Sequence, residues 1–348
     1  MKIQNRFTAG DFITVHDQLI MDLYKLNTAI PEFTIKEVTI NSKKYLINSL
    51  KGRNGYEVGL VSEVPKELVA NGVDVKRFTN PVQDQYSSFY DSMEKKLKFS
   101  PVEILITNIL FSKYLNENYN VNQISFKDIE EYRNKASSYR NIVLNDDTAF
   151  KYAEIINSLC SKKIYLKTSE TFRNPKYGAN SRNLMQPFLT INNTCKIGKN
   201  NYLFDYSFGN YGSMIRQSRR YSNLLPNICY SYPLKQANKY VVATFIAQQL
   251  FYEKFKAVHA PSNLEYNCII DYMPICEWTY GSYDITTKKY QRIQDYIENI
   301  LTLLQSDGEI EKYFVMGKLP KRKSIKKEAV YSLITLKTRT HKVEAETT

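Results

Sequence analysis

The stretch from Thr286 to Val315 constrains the fold more than any other part of the chain. It reads TTKKYQRIQDYIENILTLLQSDGEIEKYFV. Ile293, Tyr296, Ile297, Ile300, Leu301 and Leu304 recur at the 3.6-residue period of a helix with one buried face. Asp307-Gly308 predicts its stop, because glycine takes the left-handed conformation that ends a helix at little cost. Glu309 to Phe314 then alternate as a strand does. Lys288, Lys289, Gln291 and Arg292 fall on the exposed side of the first turns.

A cationic helix start, an apolar flank, a glycine stop and an immediate strand are what the third helix and wing of a winged-helix domain require. The pattern of helix, helix, helix and wing occurs twice, near 101–191 and 236–315. In the first, Ser100-Pro101 opens a helix running to Glu117. Ser125 to Arg133 is a short second helix. Asp146-Asp147 cap a third, with Phe150, Ala153, Ile156 and either Ile155 or Leu159 inward. The strand Ile164 to Lys167, a basic hairpin and the strand Pro187 to Ile191 form its wing. In the second, a helix spans about Lys235 to Lys254, and Ile269 to Met273 is a short second helix. The copies share architecture, not residues.

Ahead of them, residues 1–75 read as a small unit. A helix from Asp17 to Leu26 precedes strands Thr34–Ile40, Tyr45–Leu50 and Tyr56–Ser62, with Asn54-Gly55 as a hairpin signal. The expected class is α+β. Its parts are an N-terminal helix-plus-meander region (1–75), a linker (76–100) with a helix from Tyr86 to Lys96, winged helices at 101–195 and 200–318, and a basic flexible tail (319–348).

Composition narrows the function. The hydrophobic share of 43% suits packed cores. No run of about 18 apolar residues is present, so no membrane span is expected, and the start lacks the apolar core of a secretory signal. A cytoplasmic location is therefore expected. Five cysteines without a Cys-x-x-Cys pair and three histidines argue against a structural zinc site and for scattered reduced thiols. A formal net charge of +13 attracts polyanions. Lysine, asparagine, isoleucine and tyrosine are all coded by AT-rich codons, so placement of the charge has to decide.

In the second module Thr286, Thr287, Lys288, Lys289, Gln291 and Arg292 occupy the positions whose side chains reach bases and phosphates. An ordinary solvated face is the competing reading. In the first module two aspartates open the equivalent helix and would repel phosphate. There the cations Arg173, Lys176 and Arg182 lie in the wing, so that module is expected to touch phosphate through the wing or to serve dimerisation. Arg216, Arg219 and Arg220 form a tight cluster that suits either a phosphate clamp or a solvated turn. Lys318, Lys321, Arg322, Lys323, Lys326 and Lys327 suit non-specific phosphate contact. There is no P-loop, no His-x-His pair, no His-x-x-Arg box and no arguable Ser-His-Asp set, so neither catalysis nor a cofactor is expected.

The stretch 202–315 resembles the C-terminal winged helix of plasmid and mobile-element replication initiators. The matching pieces are Tyr206 to Tyr211, Leu225-Pro226, Lys239 to Leu250, Ile270 to Met273 and Leu304 to Ile310. Tyr211 stands where tryptophan is usual, and Lys254 or Lys256 replaces an arginine. The resemblance implies double-stranded origin DNA with repeats as partner, host replication proteins as further partners, and a homodimer in one state. A winged-helix transcriptional regulator and a metal-dependent DNA-processing enzyme are the alternatives.

Overall fold

The computed structural model describes residues 14–15, 23, 26, 35–51, 56–78, 80–115, 122–133, 143–168, 184–209, 212, 221–222, 234–258, 266–271, 275–276, 279–280, 286–306, 310, 312–316 and 331–336. Contacts divide the chain into two units. Unit 1 comprises Met1–Val241 with Glu277–Ser282, and unit 2 comprises Val242–Cys276 with Tyr283–Thr348.

Unit 1 contains β1 (Thr14–Val15), β2 (Ile35–Ile40), β3 (Lys43–Lys51), β4 (Tyr56–Glu63), α1 (Lys66–Asn71), α2 (Ser87–Leu97) and α3 (Pro101–Leu115). It continues with β5 (Gln123–Ser125), α4 (Phe126–Arg133), α5 (Asp146–Ser161), β6 (Lys163–Thr168), β7 (Leu184–Pro187), β8 (Thr190–Gly198), β9 (Asn201–Ser207) and β10 (Tyr221–Ser222). The expected meander is present. Asn41 and Ser42 both hold positive φ between β2 and β3, as a two-residue hairpin of the twist-matched kind requires. The Asn54-Gly55 turn, and most of the expected 17–26 helix, lie outside the described residues.

The meander does not stand alone. β4 pairs antiparallel with β6, which makes a five-stranded sheet of order β2-β3-β4-β6-β7. The β6–β7 pair, expected as the wing of the first module, is therefore part of the N-terminal sheet. Leu46 and Val64 of this sheet region pack with Leu68, Tyr90, Met93 and Leu97 from α1 and α2. Asn48 is buried in the sheet and donates to the Leu97 carbonyl at 2.9 Å.

A second sheet of order β5-β9-β8 takes the place expected for β6 and β7. Its hairpin turns at Lys199-Asn200, where Asn200 holds positive φ. Two helix starts carry reciprocal caps. Ser100 Oγ accepts from Glu103 N at 3.3 Å while Ser100 N donates to the Glu103 carboxylate at 2.6 Å. Ser125 and Asp128 repeat the device at α4. α3 is buried almost all round and forms the axis of this part. Phe111 stacks on Phe208 at 3.9 Å between ring centroids, with Phe188 edge-on to both. Tyr206 Oη donates to the Leu110 carbonyl at 2.8 Å.

α5 buries Ile156 and Leu159 as expected and departs from expectation in its first turns. Ala149, Tyr152, Ile156 and Leu159 are inward, whereas Phe150 is 65% exposed. Tyr152 sets this phase, because its hydroxyl bonds Glu130 and accepts from Arg133 Nη1 at 2.6 Å. Asn145, not the aspartates, caps the helix by accepting from Thr148 N at 2.8 Å. Asp146 and Asp147 occupy the first turn, where the macrodipole favours them.

The unit boundary falls within α6 (Ala237–Val258). Unit 2 then holds β11 (Tyr266–Asp271), α7 (Thr287–Ser306), β12 (Lys312–Met316) and β13 (Tyr331–Leu336). Two expectations are corrected here. Ile269 to Asp271, expected as helix, lie in strand β11, where β-branched neighbours suit a ladder. Tyr331–Leu336, expected in a flexible tail, is the middle strand of a sheet of order β11-β13-β12.

The connectivity repeats. Helix α3, strand β5, helices α4 and α5 and, after β6 and β7 have left for the five-stranded sheet, hairpin β8–β9 give a sheet in which the first strand pairs with the last. Helix α6, strand β11, the helical residues 275–276 and 279–280, helix α7 and hairpin β12–β13 give the same pairing.

Candidate nucleic-acid interface

α7 follows the expected periodicity. Tyr290, Ile293, Ile297, Ile300, Leu301 and Leu304 are buried, and Tyr296 is half-buried. Burying this stripe turns the opposite face outward, so Lys288, Lys289, Gln291 and Arg292 are exposed together in the first two turns. Thr286 is exposed, and its carbonyl accepts from Tyr290 N at 3.0 Å. The Thr287 side chain lies outside the described residues.

Charge along α7 is graded. Its first turn contains no acid. Asp295 lies one turn beyond Gln291 and accepts from its amide at 3.2 Å. Glu298 faces inward enough to be half-buried and accepts from Gln294 at 2.7 Å. The cations thus sit where free backbone N–H groups already make the helix end positive. An anion meets both fields at once. The far end is anchored, with Ile310 N donating to the Leu304 carbonyl at 3.3 Å and the Thr302 and Tyr313 hydroxyls 3.1 Å apart. That hydroxyl pair ties α7 to β12.

β12 and β13 pair from Met316↔Tyr331 onward. The segment between them, 317–330, carries Lys318, Lys321, Arg322, Lys323, Lys326 and Lys327 against one acid, Glu328. Strand pairing on both sides makes this segment a hairpin connection, not a tail. The alternation in YSLITL was the available signal, and the cationic run before it obscured it.

The third helix of the first copy is opposite in character. Asp146, Asp147 and Glu154 are exposed on α5, with Lys151 as their nearest cationic neighbour in sequence. The β8–β9 turn lies against the helix start, because Asn200 Nδ2 donates to the Leu144 carbonyl at 3.2 Å and to the Asp146 carboxylate. Lys127 N donates to Asn201 Oδ1 at 3.0 Å, which fixes the other side of the turn. Of the remaining expected contacts, Arg173, Lys176, Arg182, Arg216, Arg219 and Arg220 lie outside the described residues.

Behind α5 sits a buried cation. Lys162 has no solvent exposure, and its ammonium lies 3.2 Å from the Glu103 carboxylate. It also donates to the Lys98 carbonyl at 2.6 Å and to that of Lys95, and lies over the Phe99 ring. Burial pushes this lysine below the ordinary range, while Glu103 pulls it back up. Ser158 Oγ and Ser100 N complete the Glu103 shell, each at 2.6 Å. Burial likewise pushes the Tyr152 phenol upward. Both groups are enclosed and positional.

Among the described residues, no group of three or more His, Cys, Asp or Glu side chains could hold a metal ion. No helix among them is long and apolar enough to cross a membrane.

The sequence matches no family model and no curated protein. Two crystal structures of domains 2 and 3 of RctB, one a selenomethionine derivative, superpose on it weakly. Each is 10% identical, with a TM-score of 0.40. The matches cover 92% and 91% of this chain and 97% of each RctB chain. A likeness of that strength bears on neither residues nor function.

Proposed function

We propose that the chain is a double-stranded DNA-binding protein built on two winged helices, acting as a replication initiator at repeated sequences. The observation that carries this reading is the repeated connectivity, with a cationic third helix only in its second copy. Lys288, Lys289, Gln291 and Arg292 read the major groove from the start of α7, with Thr286 and Thr287 on phosphate. Arginine and lysine can donate to guanine O6 and N7, and glutamine can pair with adenine. The 317–330 connection is the wing of this copy, and its cations neutralise backbone phosphates without reading sequence. Arg173, Lys176, Arg182, Arg216, Arg219 and Arg220 are candidate further phosphate contacts.

DNA would be opened or bent by binding energy alone, with ATP hydrolysis left to recruited host proteins and no catalysis by this chain. Dimerisation through the first copy in one state belongs to the same reading. The initiator assignment, as opposed to a transcriptional regulator, is supported by the resemblance in Tyr206 to Tyr211 and Leu304 to Ile310. The Ile270 to Met273 piece supports it less, since Ile270 and Asp271 lie in a strand.

Gel-shift titration against the DNA flanking the gene tests the binding. With about six to ten phosphate contacts, affinity falls about 10³–10⁵-fold between 50 and 200 mM salt. Salt-independent binding, or no preference for flanking repeats, refutes it. Transforming a plasmid that lacks its own origin but carries the gene and its flanks separates initiator from regulator. Autonomous replication is expected, and its absence with DNA binding intact favours the regulator.

A further inference from the structure

Lys288, Gln291, Arg292 and Asp295 form one exposed stripe along α7. Counted from Lys288 they lie three, four and seven residues on, a spacing that sets side chains over one another on a helix face. The first three carry the donors proposed to reach bases. The fourth is an acid, which repels phosphate and so works against the rest of the stripe. Its bonding shows what it supplies instead.

Asp295 stands three residues after Arg292, a spacing that suits an ion pair. Among the described residues no ion pair joins the two, and the guanidinium stays open to a ligand. Asp295 Oδ1 instead accepts from Gln291 Nε2 at 3.2 Å. A carboxylate can only accept, so this bond holds the nitrogen end of the amide toward Asp295. Turning the amide over would set its oxygen against the carboxylate. Gln291 is then left with its Oε1 acceptor and one further N–H donor. Adenine presents the match in the major groove, an N6 donor beside an N7 acceptor. Guanine presents two acceptors there, and its O6 would face the Gln291 oxygen. Gln294 gives the contrast on the same helix. It bonds Glu298 one turn on at 2.7 Å, but it is half-buried, and its Oε1 is enclosed without a partner among the described residues. That amide supports the helix and has no acceptor to offer a base.

We infer that Asp295 is a positioning residue that fixes the Gln291 amide, and that adenine is the base selected at this point of α7. The inference rests on the proposed reading of DNA by α7, and adds which base Gln291 selects and what sets that choice. A Gln–Asp pair one turn apart also supports the helix itself, so base preference and not stability is the property to measure.

Selection by the full chain from a pool of random double-stranded DNA, followed by gel shifts on the enriched duplex, tests it. Wild type should enrich a motif, and Gln291→Ala should lose an adenine preference at one position of it. Replacing that A·T pair by G·C should weaken wild type about fivefold or more, and Gln291→Ala by less than about twofold. Asp295→Ala removes an acid, so its affinity for every sequence should rise. Its discrimination at that position should nevertheless fall to the level of Gln291→Ala. Asp295→Glu keeps both charge and acceptor, at the spacing by which Glu298 reaches Gln294, and should keep the discrimination. A role in charge alone predicts the rise in affinity with discrimination intact. Circular dichroism matching the wild type shows that the variants are folded, as expected for exposed positions. Discrimination unchanged in Asp295→Ala, discrimination lost in Asp295→Glu, or a base other than adenine lost in Gln291→Ala overturns the inference. In each of those cases loss of binding by Lys289→Glu with Arg292→Glu still leaves α7 as the reading helix. A wild type that enriches no motif overturns both.

Discussion

Reversing Lys289 and Arg292 to glutamate is the perturbation that bears most directly on function. The two residues are three apart on α7, about 4.5 Å along its axis at the usual rise, and both are exposed beside the positive end of the helix. Each phosphate neutralised contributes about −0.9 to the slope of log K against log salt. Losing two contacts flattens that slope by about 1.8. A fourfold rise in salt is about 0.6 log units, so wild type should lose about tenfold more affinity than the variant over that range. At the low-salt end the gap is widest, because two attractive charges have become repulsive. Helix loss does not explain such a result. Lysine, arginine and glutamate all form helix well, and glutamate near a helix N-terminus is favoured. Tyr290, Ile293 and Ile297 stay buried in either case. The assay is a gel-shift salt series with circular dichroism as the folding control. A variant that binds within twofold of wild type with an unchanged slope refutes the assignment and leaves α7 an ordinary solvated helix.

Other perturbations test the frame that holds the site. Lys162→Met strands Glu103 and the carbonyls of Lys95 and Lys98, and breaking a buried pair costs about 3–5 kcal/mol. For a unit of this size, that lowers Tm by roughly 6–15 °C in a thermal melt. Burial depresses Lys162, so the unfolded chain binds its proton more tightly. Wild-type stability should therefore gain with pH up to the ordinary lysine value, and the methionine variant should lose that gain. Gly59→Ala would place a methyl on the Asn48 carbonyl and 2.7 Å from Ser49 Cβ, for about 1–3 kcal/mol lost in a urea titration. Burial raises Glu57, but the hydrogen bonds from Lys36 and Ser49 outweigh it and the net shift is downward. Its contribution to stability is present above the ordinary glutamate value and lost as pH falls through its lower folded value. Glu57→Gln should flatten that acid limb in a melt series from neutral pH to about pH 3.

Legibility in the sequence tracked the range of each interaction. α7 was legible because its six inward positions lie within one helix and obey one period. The helix starts at Ser100 and Ser125 were legible for the same reason, being set by partners three residues away. The pairing of β4 with β6 joins residues about a hundred apart, and no local pattern announces it. The run Cys268-Ile269-Ile270 is too short for periodicity to separate strand from helix, and its partner Ser332–Ile334 lies beyond the cationic segment. In α5 Ile156 and Leu159 were read correctly, and the first turns were missed by one residue because Tyr152, not Phe150, finds polar partners on α4, about twenty positions away. Asn145 was overlooked as a cap beside two more conspicuous aspartates.

The two copies of the connectivity differ in the segment after the third helix, and the difference is mechanical as well as electrostatic. In the first copy α5 runs into β6 with only Lys162 between, and β6 enters the five-stranded sheet. Lys162 is the residue that bonds the end of α2 and the start of α3. The end of α5 is thus tied to the α2–α3 junction by a fully buried ion. The exposed aspartates at its start would repel phosphate. In the second copy α7 leads to β12 and then to a cationic connection of fourteen residues, 317–330, before β13. Its start exposes Lys288, Lys289 and Arg292, and the Thr302 and Tyr313 hydroxyls meet between helix and strand. A shared connectivity therefore carries exposed aspartates at the start of its third helix in one place and exposed cations in the other.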